Sequence, residues 1–311
     1  MNPPLENDVG DSGPVTARDV PGSVLHFAAY RAIEWLAATL PRDGQYRVAR
    51  AVAAYWCKLD SGSRRTVEEH MRAVLGSGAP PGTIRANARG VFQSFARYLC
   101  EFIGQRNQSA ALIDANVTVI GREHLDAALK IGRGAICCSG HYSNWELGAS
   151  AIARLGYPIT AVVQKHSNAR IDALFVERRE RAGVKIAHTD TAALNALRAL
   201  KRNETIAILG DRPTGGPTVA LTLFGRETQL PQGPWRLALL SGAVLVPSFV
   251  RRDGERYVLE FDAPLTLSGY SADASRDERV KALAAHWARC FESRVRSDPT
   301  QWTVFDPVWK R

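Results

Sequence analysis

A histidine and a carboxylate, His141 and Glu146, stand five residues apart in the run Ser139-Gly140-His141-Tyr142-Ser143-Asn144-Trp145-Glu146-Leu147-Gly148. An imidazole steadied by a carboxylate is a general base able to take a proton from a hydroxyl. On one ideal helix the two would point about 140° apart, since each residue turns roughly 100°. They cooperate only if His141 lies in a turn and Glu146 in the first turn of the helix that follows. The neighbouring letters provide for that geometry. Ala135-Ile136-Cys137-Cys138 is strand-like, Gly140 breaks it, and Ser143 or Asn144 can cap the helix. The same Ser143-Asn144-Trp145-Glu146 also spells a capping box, in which Glu146 only satisfies a backbone N–H.

Other candidates lie further along. Asp211 follows the apolar stretch Ile206-Ala207-Ile208-Leu209, in the loop Gly210-Asp211-Arg212-Pro213-Thr214-Gly215-Gly216. If both stretches are parallel strands, His141 and Asp211 sit at equivalent ends and can share one cleft; otherwise Asp211 is a turn residue in a Gly/Pro-rich loop. Arg178 and Arg181 are one helical turn apart and suit a phosphate, or else form a solvated basic face with Arg179 and Lys185. Gly233-Pro234 opens a helix and can receive an anion or an oxyanion, or is simply a good helix start. There is no G-x-S-x-G elbow, so no enzyme nucleophile is expected.

The elements that must position these residues read in order. Helices are expected at 24–40, 45–58 and 66–75, a loop at 76–82, and a long amphipathic helix through Ile84, Ala88, Val91, Phe92, Phe95, Leu99 and Phe102. From Val117 onward strands and helices alternate. Strands are expected at 117–120, 135–138, 159–163, 184–187, 205–209, 244–250 and 257–261. Helices fall at 124–129, 145–155, 171–181, 192–201, 234–241 and 277–295. Such alternation predicts an α/β layered fold with a largely parallel or mixed sheet flanked by helices. The expected organisation is a disordered leader over residues 1–20, an N-terminal helical and membrane-interfacial segment over 21–82, and the α/β domain over 83–311.

Composition narrows the function classes. With 311 residues, 45% hydrophobic and 23% charged, the chain is large enough for a sizeable core and is not disordered as a whole. Forty Lys and Arg against 31 Asp and Glu give a formal charge of +9, which favours an anionic partner. The five cysteines include no C-x-x-C and read as reduced thiols; Cys137, Cys138 and His141 match no zinc framework, so no metal is expected. No signal peptide is evident. The longest apolar run, Leu237 to Val250, is too short to span a bilayer and contains Pro247. Trp35, Tyr55 and Trp56, flanked by arginines, suit either core packing or a headgroup boundary.

Taken together, these stretches resemble the bacterial lysophospholipid and lipid A late acyltransferases, including the lauroyl and myristoyl transferases. The resemblance covers roughly residues 86–311. It rests on Gly121-Arg122-Glu123-His124-Leu125, the H-x4-D/E block at His141 to Glu146, the Arg-rich helix at 177–183 and Asp211. Phe224-Gly225, Gln232-Gly233-Pro234 and Gln301-Trp302 complete it, all in the family's order. It implies a glycerolipid-acyltransferase-like fold and a catalytic pair His141 and Glu146. It implies a substrate-binding set of Asn144, Arg178, Arg181, Asp211 and Gly233. It also implies O-acyl transfer from acyl carrier protein or acyl-CoA to a lipid or glycolipid, without a cofactor. The expected setting is an anionic membrane surface at the cytoplasmic face of the inner membrane, with no nucleic acid. The rivals are a thioesterase-like hydrolase and a non-enzymatic basic protein that binds anionic lipid or nucleic acid.

Overall fold

The computed structural model describes residues 24–104, 115–189, 192–212, 215–266 and 273–309. The expected leader lies outside the described residues. Four helices come first: α1 (Val24–Thr39), α2 (Arg42–Leu59), α3 (Ser61–Leu75) and α4 (Pro81–Gly104). There follow β1 (Val117–Ile120), α5 (Arg122–Lys130), β2 (Ala135–Ser139), α6 (Trp145–Arg154), β3 (Ile159–Val163), α7 (Ala169–Arg181), β4 (Val184–His188), α8 (Ala192–Lys201) and β5 (Thr205–Leu209). The remainder is β6 (Thr218–Leu223), β7 (Arg226–Pro231), α9 (Gly233–Ser241), β8 (Val244–Asp253), β9 (Arg256–Phe261) and α10 (Arg276–Ser297).

Seven strands form one sheet in the order β1-β9-β8-β2-β5-β3-β4. All neighbours pair in parallel except β8 and β9, which form an antiparallel hairpin and turn the β9–β1 edge the other way. The expected α/β fold with a largely parallel sheet is therefore present. The apolar runs of the central strands follow from burial on both faces. In β2, Ile136 and Cys138 face a core shared with α8, α9 and α10, while Ala135 and Cys137 face one shared with α5 and α6.

Helices α2, α3 and α4 enclose a third core of Ala53, Cys57, Val67, Met71, Ile84, Ala88, Val91 and Phe92, against which Phe305 of the C-terminal segment packs. A β6–β7 hairpin, absent from the sequence reading, covers the α10 side. Its turn is Phe224-Gly225, with φ of 50° and 75°, the doubly left-handed signature of a tight hairpin. Val219, Leu221 and Leu223 alternate inward at a period of two.

Gly140 is required where β2 gives way to the His141 turn. A Cβ there would lie 2.4 Å from the Phe291 ring of α10. The absent side chain lets the strand end pass over that ring, and this sets the height at which His141 emerges.

Candidate active site

β2 and β5 are neighbours in parallel register, with Ser139 opposite Leu209. His141 and Asp211 each lie two residues past those ends, so they leave the sheet side by side. Asp211 Oδ1 is 2.8 Å from His141 Nδ1. Its Oδ2 accepts from the His141 amide at 2.9 Å and from the Trp302 indole N–H at 3.1 Å. Burial alone would push this carboxyl up. The imidazole beside it and these hydrogen bonds outweigh burial and hold it below the ordinary carboxylate range. An ionised Asp211 keeps the proton on Nδ1, which leaves the lone pair on Nε2. The His141 side chain keeps 17% of its surface open, and Trp145 meets the ring edge-on at 5.1 Å.

Glu146 is elsewhere, which corrects the pairing expected from spacing. Its carboxylate takes two guanidinium nitrogens of Arg179, with Nη2 at 2.6 Å and Nε at 3.0 Å. Both side chains are enclosed. The capping role also falls to another residue. Asn144 is the N-cap of α6, its Oδ1 accepting from the Leu147 amide at 3.0 Å. Ser143, held at φ 55°, makes the preceding turn, and Glu146 takes no part in a capping box.

Asn144 is thereby engaged inside the fold at both polar ends, since its Nδ2 donates to Glu101 Oε2 at 2.9 Å. The buried Glu101 also accepts from Tyr46 of α2 at 2.8 Å, from Arg97 at 2.8 Å and from Tyr257 of β9. One carboxylate thus joins α2, α4, β9 and the cap of the helix behind His141. Asp211 is the one expected substrate contact that the structure brings to His141.

The expected arginine pair does not converge. Arg178 is turned inward, where Nη2 meets Glu34 of α1 at 2.5 Å and Nε meets the Ile103 carbonyl at 3.1 Å. Arg181 lies outside, paired with Glu177 at 2.8 Å. Gly233 is exposed at the start of α9, and a Cβ there would meet nothing within 4 Å.

Sequence reasoning gave no role to three residues around the pair, Arg212, Asp306 and Trp302. Arg212 pairs with Asp306 of the C-terminal segment. The Asp306 carboxyl is raised by burial against the pull of Arg212 and of His141. Trp302 was visible only as part of the Gln301-Trp302 pair. Among the described residues no group of three His, Cys, Asp or Glu is arranged to hold a metal.

Behind Trp302 lies His70, fully buried, stacked on the Trp302 indole at 5.0 Å and edge-on to Trp309 at 5.3 Å. Burial drives its imidazole down to about 4. An unfolded chain takes up that proton near 6.5, so between those values the unfolded state binds more protons. Stability therefore falls as pH drops from 6.5 toward 4, by about 3 kcal/mol in all. Denaturant melts at pH 7 and pH 4.5 should show most of this loss, and His70→Phe should flatten it. The depressed Asp211 adds a separate loss only below its ordinary value near 3.9.

Known proteins are similar to this sequence along most of its length. The family model described as bacterial lipid A biosynthesis acyltransferase matches residues 16–311. A phosphatidylinositol mannoside acyltransferase of Mycolicibacterium smegmatis is 26% identical over 254 residues, covering 80% of each chain. A lipid A biosynthesis acyltransferase of Haemophilus influenzae is 28% identical over half of each chain. A lipid A biosynthesis lauroyltransferase of Escherichia coli is 33% identical over 45% of this chain and 47% of its own.

Proposed function

Since the chain belongs to the bacterial lipid A biosynthesis acyltransferase family, and is an acyltransferase acting on a lipid or glycolipid, we propose that His141 is its general base and Asp211 the carboxylate that orients it. The observation that carries this reading is the Asp211 Oδ1 to His141 Nδ1 contact at the mouth of two paired strands. Nε2 takes the proton of an acceptor hydroxyl as its oxygen attacks the thioester carbonyl of acyl carrier protein or acyl-CoA. The tetrahedral adduct collapses, the C–S bond breaks, and the imidazolium gives its proton to the departing sulfur, which leaves as a thiol. Asp211 stabilises that imidazolium as the carboxylate does in a serine-protease triad.

The phosphatidylinositol mannoside acyltransferases cover 80% or more of the chain, against about half for the lipid A enzymes. That supports a glycolipid acceptor. The donor's carrier and the Gly233 helix start as a site for the oxyanion belong to the same proposal. The experiment is incubation of the purified protein with a labelled acyl thioester, with and without extracted membrane lipid. A labelled lipid ester that forms only with acceptor supports the reading. Free fatty acid released at one rate in both would replace it with a hydrolase.

We place the reaction on an anionic membrane at the cytoplasmic face, where acyl thioesters are made. No helix of the described residues is long and apolar enough to cross a bilayer. Helices α1 and α2 instead expose Trp35, Val52, Tyr55 and Leu59, at 58–66%, beside exposed Arg47, Arg50 and Lys58. Exposed aromatic and basic groups suit the headgroup boundary. Vesicles containing phosphatidylglycerol should bind the protein, less so at high salt. Trp35→Ser with Tyr55→Ser should weaken binding about tenfold or more, given roughly 25 cal/mol per Å² of apolar surface. Flotation assays read both effects.

A further inference from the structure

We propose that Trp302 is a positioning residue for the catalytic pair, its indole N–H fixing which oxygen of Asp211 faces His141. The inference rests on the reading of His141 as base.

Asp211 has two equivalent oxygens, and a carboxylate free to rotate would offer either to the imidazole. Trp302 removes that freedom. Its Nε1 is 3.1 Å from Oδ2, the oxygen that also takes the His141 amide, which leaves Oδ1 for the ring. An indole N–H only donates and has no rotor of its own. Its direction is therefore set wholly by where the indole plane is held.

That plane is clamped on several sides. Trp302 is 1% exposed, stacked on His70 at 5.0 Å and edge-on to Phe291 at 5.8 Å and Trp309 at 6.2 Å, with Phe224 tilted against it at 5.3 Å. The backbone is held as well. The Ser143 amide donates to the Gln301 carbonyl at 2.7 Å and the Thr303 amide to the His141 carbonyl at 2.9 Å. The Gln301 side chain bonds both the amide and the carbonyl of Arg252 in β8, at 2.7 and 3.1 Å. The C-terminal segment thus grips the His141 turn on both sides and delivers one donor to Asp211.

A tryptophan that merely filled space would be replaceable by any ring of its shape. The test is to exchange Trp302 for benzothienylalanine, the same bicycle with sulfur in place of N–H, alongside Trp302→Phe. Acyl transfer from dodecanoyl-CoA to extracted membrane lipid and the NMR signals of 15N-labelled His141, which report its Nδ1 hydrogen bond to Asp211, are measured on the full chain. We expect benzothienylalanine to leave the melting temperature and KM near wild type and to lower kcat about tenfold, the worth of a hydrogen bond to a charged group. Without its donor, Asp211 is freer to turn either oxygen toward the ring. The 15N and Nδ1–H signals of His141 should therefore move away from their wild-type positions.

Wild-type kcat and wild-type His141 signals in the benzothienylalanine protein would overturn the proposal. So would a fall confined to Trp302→Phe, which would leave only bulk. His141→Ala run in parallel separates the two readings. If it is inert while the benzothienylalanine protein is normal, only the role of Trp302 fails; if it transfers normally, both fail.

Discussion

Exchanging His141 for alanine should lower kcat for acyl transfer by about 10²- to 10⁴-fold, the usual worth of a positioned general base. Its Nε2 is the lone-pair nitrogen of the pair, because Asp211 holds the other ring nitrogen at 2.8 Å. The fold should survive, since the His141 amide and carbonyl keep their bonds to Asp211 and Thr303 when the ring is removed. Far-ultraviolet circular dichroism and donor binding should therefore match wild type while labelled lipid ester falls. An alanine protein that transferred acyl groups at the wild-type rate would remove His141 from the chemistry.

The second large effect separates the two carboxylates. Asp211→Asn keeps size and shape but cannot hold the Nδ1 proton in the same way, and it should cost kcat on the order of 10²- to 10⁴-fold. Glu146→Gln should behave in the opposite manner. It leaves the enclosed Arg179 guanidinium without its counter-ion, and removing one partner of a buried pair costs about 3–5 kcal/mol. Its loss should appear in the denaturation midpoint, with kcat per folded molecule near wild type. Measuring stability and turnover on both proteins decides the matter. A Glu146→Gln enzyme that is stable but inactive would return the orienting role to Glu146.

The contrast also shows what a linear sequence carries. Strand and helix positions were legible because periods of two and 3.6 are local properties, and β1, β3, β5 and α8 begin and end where those periods do. Asp211 was legible as a strand-end acid. Its partnership with His141 was not, because it depends on the register of β2 against β5, set across 70 residues. Glu146 had the nearer number and the wrong neighbour.

The arginines failed for a related reason. Arg178, Arg179 and Arg181 share one short stretch, and only the packing of α7 against α1 and α6 decides that the first meets Glu34, the second Glu146 and the third solvent. The β6–β7 hairpin was hidden by its turn, since Phe224-Gly225 adopts the conformation usually announced by Asn-Gly. Trp302 was quoted without a role because its acceptor lies 91 residues away.

Glu101 has a consequence for how far such an enzyme can be pared down. Four groups converge on that one buried carboxylate, from α2, from α4, from β9 and from the cap of the helix behind His141. Cutting the chain after α2 would leave Glu101 without Tyr46 and open it to water, loosening Asn144 and the turn that presents the base. The exposed aromatic surface of α2 and the His141 turn therefore share a single hinge-pin. A chain cut past α2 should lose the order of the His141 turn along with the exposed aromatic surface.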